Sequence, residues 1–174
     1  HTYSRKSLTF LVNIGVVSDT HNNLKNIDKI ISLFNKEDIS LVIHTGDIAN
    51  AKSLKEFSKL KCKLIGVYGN NDRHEIGIKE VVTEYKFEFQ EPPNLFNLCN
   101  RNIAIFHEPE TIDAFLIDNS DIDIVLHGHT HRYRNEVKNG ILFFNPGESA
   151  GMQKDSNAIG IIDLIELRAR RIFF

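Results

Sequence analysis

Short apolar runs alternate with helical patterns in the first half of the chain. Residues 10–17, 41–43 and 62–68 are apolar runs of strand length. Residues 24–34 place apolar side chains at the spacing of one helical face, and residues 51–60 also have a helical pattern. The order strand, helix, strand, helix, strand predicts a layered α/β domain.

The second half is richer in strand patterns. A helical pattern covers residues 111–117, and Glu91-Pro92-Pro93 predicts a turn between two strands. The apolar ending at residues 172–174 is expected to close a sheet or to cover a partner. We therefore predict two sheets packed face to face, with helices outside. The predicted strands of this half are residues 87–89, 95–98, 103–106, 122–126, 133–137, 141–144, 158–164 and 170–174.

Polar residues with metal-binding side chains follow five of the predicted strands. Ligands of α/β sheets bind beyond the carboxyl ends of the strands, so segments that share such an edge bring their side chains together. Glycine within these segments lets the backbone turn sharply and approach a bound group. The five segments are residues 18–21 (Ser-Asp-Thr-His), 44–47 (His-Thr-Gly-Asp), 69–72 (Gly-Asn-Asn-Asp), 107–108 (His-Glu) and 127–131 (His-Gly-His-Thr-His).

These side chains favour a divalent metal site. Asp, Asn and His offer oxygen and nitrogen ligands without a thiolate, a set that suits Mn²⁺, Zn²⁺, Fe²⁺ or Ni²⁺ and suits Cu(I) poorly. Residues i and i+2 lie near one face of an extended backbone. Asp19 and His21 can therefore serve one metal or two adjacent metals, and so can His129 and His131.

Each of these residues, taken alone, also has a simpler explanation. Asp19 and Asp72 are typical helix caps or turn residues. His44 lies in an apolar run and is interpreted as a buried, hydrogen-bonded support. The pair His129 and His131 favours a metal more strongly, because two imidazoles so close repel each other when both are protonated. Five such segments together favour one shared site over five unrelated turns.

The ordered set of motifs resembles the calcineurin-like metallophosphoesterase superfamily. The similarity spans about residues 12–165, and the closing Asn145-Pro146-Gly147-x-Ser149 resembles the small single-domain bacterial and archaeal phosphodiesterase branch. This resemblance implies an α/β fold, a four-layer α/β/β/α sandwich of two mixed sheets, in one domain over residues 1–174. Residues 1–8 are interpreted as a flexible N-terminal extension or a tag remnant. The motifs are Asp19-x-His21, Gly46-Asp47, Gly69-Asn70-x-Asp72, His107 and Gly128-His129-x-His131.

The resemblance further implies two divalent metal ions per chain. Manganese is the expected metal, with zinc, nickel, iron or magnesium as alternatives. The ligands carried over by motif are Asp19, His21 and His131 for one metal, Asn70, His107 and His129 for the other, and Asp47 as a bridge between them.

Other roles follow from the same resemblance and from position in the sequence. The expected catalytic residues are Asp47, Asn70 and Asn71. Asn71 is also an expected substrate contact, as is His74, which lies in a polar segment. His44 and Asp72 are expected to support the ligands without binding metal.

The chain departs from the family pattern at two positions. Asn71 stands where many of these phosphatases have a His that contacts the phosphate or the leaving group, although the small branch often lacks it. Glu108 follows His107 where the family usually has Gly, which changes the shape or charge of the rim. Since no strong general acid is identified, we expect better activity on esters with good leaving groups, such as aryl or cyclic phosphodiesters.

The predicted activity is metal-dependent hydrolysis of phosphodiester bonds by a metal-bridging hydroxide. One alternative is a non-catalytic protein-binding scaffold with the same fold. Another is a phosphomonoesterase or nuclease of the same superfamily. The complete ligand set argues for catalysis, whereas an exposed apolar patch without turnover would argue for a scaffold.

Composition adds limits on partners and location. The net charge is -2 and Lys and Arg are not clustered, so we expect a small phosphodiester substrate and no extended nucleic-acid surface. No run of about 18 apolar residues predicts a membrane span. The start lacks the apolar segment of a signal peptide, so a cytoplasmic protein is expected. Cys62 and Cys99 are too few for a disulfide framework and are interpreted as core positions.

Overall fold

The first half of the chain alternates strands and helices as predicted. The computed structural model describes residues 13–72 and 74–174, so the predicted extension at residues 1–8 and the start of the predicted strand at residues 10–17 lie outside the described residues. Helix α1 begins after Asn23, whose side chain accepts a hydrogen bond from the Asn26 N–H. The elements are β1 (Asn13–Val17), α1 (Leu24–Lys36), β2 (Leu41–His44), α2 (Ala51–Glu56) and β3 (Lys63–Val67).

Helix α3 (Ile78–Glu84) was not predicted from the sequence. Its apolar residues Ile78 and Val81 are buried, with Val82 and Tyr85 packed beside them, at helical spacing. The pattern is short, and the N-cap position is Gly77 with φ of 88°, without a side-chain cap. Packing against the first sheet therefore stabilises a segment whose local signals are weak.

The strands of the second half agree with the predicted ones to within a few residues. The predicted helix begins as a 3₁₀ turn (Pro109–Thr111) and continues as α4 (Ile112–Asp118). The predicted turn at residues 91–93 connects two strands. The strands are β4 (Glu88–Gln90), β5 (Asn94–Leu98), β6 (Arg101–Ile105), β7 (Ile124–Leu126), β8 (Arg134–Lys138), β9 (Ile141–Asn145), β10 (Ala158–Asp163) and β11 (Arg168–Phe173).

Within the described residues these strands form two mixed sheets. The first sheet has six strands in the order β11-β10-β1-β2-β3-β4, and the second has five in the order β5-β6-β7-β9-β8. In the first sheet β1 to β4 are parallel, whereas β10 and β11 are antiparallel to their neighbours. In the second sheet β6, β7 and β9 are parallel, whereas β5 and β8 are antiparallel.

Alternating side chains divide the interior into three apolar layers. Ile14 and Ile103 lie between the two sheets, as does Phe144. Ile27 of α1 belongs to the layer between the first sheet and helices α1 to α3. Ile112 of α4 belongs to the layer on the outer face of the second sheet. The predicted four-layer α/β/β/α sandwich is therefore confirmed.

Two surface details differ from or refine the sequence prediction. Cys62 is half-buried and packs against the helix-side layer, but Cys99 is exposed in the turn between β5 and β6, so its predicted core position is wrong. Ile172 and Phe174 pack against the first sheet's helix-side layer, whereas Phe173 is 56% exposed. None of the helices that the structure describes combines the length and the hydropathy that a membrane span needs.

Candidate metal centre

The five polar segments meet at one end of the sandwich. Strands β1, β2 and β3 run parallel, with Val17 opposite His44 and His44 opposite Gly66. Strands β6 and β7 also run parallel, in the second sheet. Each segment follows the carboxyl end of one of these strands, so both sheets supply side chains to the same place. A hydrogen bond of 2.8 Å between the His107 ring and the Thr45 carbonyl connects the two sheets there.

Asp19, His21 and His131 form the first cluster of possible ligands. One ligand atom from each lies within 4.8 Å of the others, and Asp19 Oδ1 lies 3.8 Å from His131 Nε2. Asp19 Oδ2 accepts hydrogen bonds from Ser18 Oγ at 2.6 Å and from the His129 N–H at 3.1 Å. These bonds leave Asp19 Oδ1 turned toward the two imidazoles.

Asp47, His107 and His129 form the second cluster, again within 4.8 Å. His107 Nε2 lies 3.4 Å from Asp47 Oδ2. The His107 Nδ1–H donates to the Thr45 carbonyl, which can only accept, so a neutral His107 carries its proton on Nδ1. Nε2 is then free to act as a ligand, which is the usual arrangement around a metal-binding histidine.

The two clusters fit metal ions better than they fit a closed hydrogen-bond network. Asp19 Oδ1, His21 Nε2 and His107 Nε2 are buried, and none of them has a hydrogen-bond partner within the described residues. Buried polar atoms are nearly always paired, so three unpaired atoms aimed at one region indicate a ligand. Oxygen and nitrogen donors of this kind suit a divalent ion.

The surroundings of the two clusters shift the pKa values of Asp19, Asp47 and His107. Burial raises the pKa of Asp19, with a smaller opposing effect from Ser18. Burial also acts to raise the pKa of Asp47, but the nearby His107 ring, whose Nε2 lies 3.4 Å from Asp47 Oδ2, holds it at about 2. Burial opposes protonation of His107, yet Asp47 raises its pKa overall. Asp47 is therefore an anion at neutral pH, ready to bind a cation.

Both aspartates and three of the four histidines of the two clusters have a left-handed backbone conformation, which the sequence did not reveal. Such conformations are uncommon outside glycine and cost of order 1–3 kcal/mol each, so they persist where the fold demands them. The φ angles are 52° for Asp19, 47° for His21, 63° for Asp47, 69° for His129 and 59° for His131.

Asn70 and Asn71 lie in the turn after β3, and both are exposed. The Asn71 N–H lies 3.4 Å from Asp47 Oδ1, which places this turn beside the second cluster. A Cβ atom on Gly69 would collide with the Asp47 carboxylate, so only glycine allows the turn to pass this close. The metal role of Asn70 and the catalytic role of Asn71 stay predictions.

Asp72 has a larger structural role than a cap or an ordinary turn residue. Its buried carboxylate accepts hydrogen bonds of 2.8 Å from four backbone N–H groups, which belong to Asp47, Ile48, Ala49 and Gly69. It therefore holds the loop of Asp47 against the turn that contains Asn70. The sequence predicted that Asp72 supports the ligands, but only the fold shows which backbone N–H groups its carboxylate binds.

His44 is buried and connects the loops of both clusters. Its Nδ1 accepts from the Gly46 N–H at 2.9 Å, so Nε2 carries the proton and donates to Thr20 Oγ1 at 2.9 Å. Burial lowers the pKa of His44 to about 3, so the ring is neutral at physiological pH. This geometry agrees with the predicted role of a hydrogen-bonded support.

His74 is exposed and belongs to neither cluster. It lines a pocket of about 310 Å³ together with Asp72 and Tyr68. Asp72 lines this pocket and also binds the loops that contain the ligands. A substrate contact by His74 stays a prediction. Glu108 is half-buried at the start of a 3₁₀ turn and does not cap it with its side chain.

Sequence reasoning missed Ser18 and Thr45, which orient ligands from adjacent positions in the chain. Ser18 donates to Asp19, and the Thr45 carbonyl fixes the ring of His107. Gly128 has a related role, because a Cβ atom there would collide with Ser18 Oγ and lie 2.9 Å from Asp19 Oδ2. The only sequence feature that could have pointed to Ser18, Thr45 and Gly128 is that each lies within one of the polar segments.

Known proteins resemble this chain along most of its length. Residues 12–166 match the calcineurin-like phosphoesterase superfamily domain. Phosphodiesterase MJ0936 of Methanocaldococcus jannaschii is 33% identical over 166 residues, which are 91% of this chain and 97% of that protein. A solved archaeal phosphodiesterase has a TM-score of 0.84 at 33% identity, covering 93% of this chain and 99% of its own.

The fold is also shared with a more distant structure. YfcE, a phosphoesterase from E. coli, has a TM-score of 0.65 at 18% identity and covers 92% of this chain and 98% of its own. The region that matches the family contains all five polar segments and both clusters. This chain belongs to the calcineurin-like phosphoesterase superfamily.

Proposed function

We propose that the protein is a metal-dependent phosphodiesterase. The observation that carries this proposal is the pair of adjacent clusters, each with one carboxylate and two imidazoles within 4.8 Å. Membership in a phosphoesterase superfamily directs the chemistry toward phosphate esters. The 33% identity to a phosphodiesterase over 91% of the chain supports diesters as the substrate class.

Two ions per chain would bind at these clusters. Asp19, His21 and His131 would hold one, and His107 and His129 would hold the other. Asn70 would complete the second set, and Asp47 would be shared, because His107 of its own cluster and His21 of the other both lower the pKa of Asp47. Manganese is the expected ion, with zinc, nickel, iron or magnesium as alternatives, since all accept oxygen and nitrogen ligands.

Bound ions would supply Lewis acidity and an acidified water, the main requirements for hydrolysis of a phosphate ester. The residues of the chain hold that arrangement in place. Asp47 would connect the two ligand sets, and Asp72 fixes the loop from which Asp47 extends. Asn70 would be a neutral ligand and would leave more positive charge at the centre than another carboxylate.

The leaving-group oxygen must receive a proton or depart as a stable anion. Asn71 is exposed beside Asp47 but has no acidic proton to donate. Its amide can still donate hydrogen bonds to a phosphoryl oxygen. We therefore expect faster cleavage of aryl diesters, whose leaving groups need no proton, than of alkyl diesters.

The direct test removes and restores the metal. The protein is treated with chelator, and Mn²⁺, Zn²⁺, Ni²⁺ or Mg²⁺ is added back separately before bis-p-nitrophenyl phosphate and p-nitrophenyl phosphate are assayed. Turnover of the diester that depends on added metal is the expected result. Turnover of the monoester alone would indicate a phosphomonoesterase.

Metal content is measured in the same samples. If two metals bind per chain and neither ester is cleaved, the phosphodiesterase proposal fails and a non-catalytic binding protein is indicated. An N71H variant then tests the departure from the family pattern. A gain of turnover in N71H would attribute the missing activity to Asn71.

A further inference from the structure

Arg171 has an environment that its neighbouring arginines lack. Its guanidinium carbon lies 3.5 Å from the centre of the Tyr133 ring and 4.6 Å from the centre of the Phe173 ring. Within residues 13–72 and 74–174, no carboxylate forms an ion pair with it. By contrast, Arg170 on the opposite face of β11 pairs with Glu37 at 3.2 Å.

Arg171 lies two strands away from the strand that leads to Asp19. On β11 it is opposite Gly160 of β10, which is in turn opposite Val16 of β1, so its Cα lies roughly 10 Å from that strand. Tyr133 follows His131 by two residues, which limits their Cα separation to about 7 Å. The platform formed by Tyr133, Arg171 and Phe173 is therefore connected to the first ligand cluster through β1 and through the segment that contains His131.

The loop after β9 leads from this platform to the ligands. A Cβ atom on Gly147 would lie 4.0 Å from Arg171 Nη1 and 3.9 Å from the Tyr133 nitrogen. Two residues later, the Ser149 N–H lies 3.4 Å from the Asp19 carbonyl. Gly147 therefore places backbone without a side chain beside the guanidinium, in the loop that leads to Asp19.

The chemistry of this platform suits an anion. Aromatic rings contact a guanidinium through its face, and this leaves the in-plane N–H groups available as donors. Asn135 donates to the Tyr133 hydroxyl at 2.9 Å and to the Ala169 carbonyl at 3.1 Å, which connects Tyr133 to the strand that contains Arg171. A half-buried arginine without a carboxylate partner among the described residues is suited to bind phosphate.

We propose that Arg171 binds a second phosphate group, carried on one arm of the phosphodiester that the metal centre cleaves. The inference rests on the proposed phosphodiesterase function and narrows its substrate class. The substrates would be short nucleotide-type diesters with a terminal phosphate. Diesters without one would still be cleaved, but they would bind more weakly.

The test compares two substrates that differ only in a terminal phosphate. Dithymidine monophosphate with and without a 5′-terminal phosphate is assayed with the manganese-loaded wild-type protein and with the R171M, R171K and R170M variants. We expect the wild type to prefer the phosphorylated substrate by about tenfold in kcat/KM, mostly through KM, as one charge-assisted contact would provide. R171M should abolish this preference, R171K should keep part of it, and R170M should match the wild type.

Bis-p-nitrophenyl phosphate separates this inference from the proposed function. Its cleavage by the wild type establishes the phosphodiesterase, and R171M should change that rate by less than about twofold, because the substrate has no second phosphate. If R171M keeps the full preference for the phosphorylated dinucleotide, the role of Arg171 is wrong although the enzyme assignment stands.

Binding provides a measurement that does not need turnover. Thymidine 3′,5′-bisphosphate and thymidine 3′-monophosphate are titrated into the wild type, R171M and R170M by calorimetry. We expect R171M, and not R170M, to lose about tenfold in affinity for the bisphosphate only. Equal affinities in the wild type and R171M would overturn the proposal even if no diester were cleaved.

Discussion

The two ligand clusters have the same composition but are held in different ways. In the first cluster, Asp19 is oriented by a neighbouring hydroxyl and one backbone N–H, and the His21 and His131 side chains are only half-buried. In the second cluster, Asp47 and His107 are both buried. The backbone around Asp47 is fixed by Asp72, and the ring of His107 is fixed by a carbonyl.

This difference predicts unequal metal sites. Backbone contacts with buried partners restrict a ligand more than one side-chain hydrogen bond near solvent, and ligands held in place bind more tightly. We therefore expect the second cluster to bind its metal more tightly and the first to exchange its metal more easily. Sequential metal titration of the metal-free protein tests this order, and two equal affinities would contradict it.

Substitution of Asp47 should weaken metal binding at both clusters and so remove the difference in affinity between them. D47N replaces the anionic group that we propose both ligand sets share with a neutral amide, so metal binding and turnover should fall together. The loss should exceed about a hundredfold, the upper range for residues that only support ligands. Metal content and the rate on bis-p-nitrophenyl phosphate measure it. A D47N protein with two bound metals and full turnover would refute the bridging role.

Substitution of Asp72 should weaken mainly the second cluster. D72N cannot accept all four backbone hydrogen bonds, so the Asp47 loop should lose its fixed position. We expect up to about a hundredfold weaker binding of the tighter metal, and about 3 kcal/mol less free energy of unfolding in urea. If D72N weakened both metals equally, Asp72 would serve general stability and not the second cluster.

Acid should weaken the connection that His44 makes between the two loops. Its pKa is about 3 in the folded protein, below its ordinary value of 6.5, so the unfolded chain binds more protons between these values. The stability that neutral His44 contributes is complete above pH 6.5 and is lost as the pH falls toward 3. From pH 6 to pH 4.5 the folding equilibrium should change by about twentyfold.

The H44Q variant isolates that effect from the other titrating groups. Urea unfolding of the metal-free wild type and H44Q at matched pH values gives the difference in free energy of unfolding. The advantage of the wild type over H44Q should shrink as the pH falls below 6.5. A constant difference across this range would contradict a neutral, buried His44.

Removal of the Ser18 hydroxyl should give the smallest effect. S18A removes the 2.6 Å hydrogen bond to Asp19 Oδ2 but keeps the backbone donor from His129. We expect about a tenfold loss of affinity for the weaker metal, the low end for a supporting residue, with the tighter metal unaffected. Comparison of S18A with D72N in one titration distinguishes the two clusters, and an S18A effect on the tighter metal would reverse their assignment.

Local pattern predicted the elements whose signals are strong. The apolar spacing of α1 and the apolar runs of β2 and β3 are visible without any partner, because burial on one face imposes a period. Helix α3 was missed because its cap position is Gly77 and its apolar face covers only two turns. Cys99 was predicted to be a core residue because it is small and follows a strand pattern. Its sequence does not show that the chain has already turned at this position, where the residue is exposed.

The sequence by itself determined which side chains are available for chemistry and in what order they occur. Five polar segments after five apolar runs predicted one shared site, because a strand end places its following residues at a known edge of a sheet. The division into two ligand sets came from the family resemblance, which placed Asp47 as a bridge, whereas the structure groups Asp47 with His107 and His129.

Only the tertiary structure decided how those side chains are held and what lies around them. The backbone of Asp47 has a left-handed conformation that no local pattern predicted. The Asp72 carboxylate binds N–H groups from two different loops, and Arg171 of one sheet lies beside Tyr133, which precedes a strand of the other sheet. Such contacts depend on strand order and register, which are set by packing of the whole sandwich. A linear pattern of apolar and polar residues does not encode them locally.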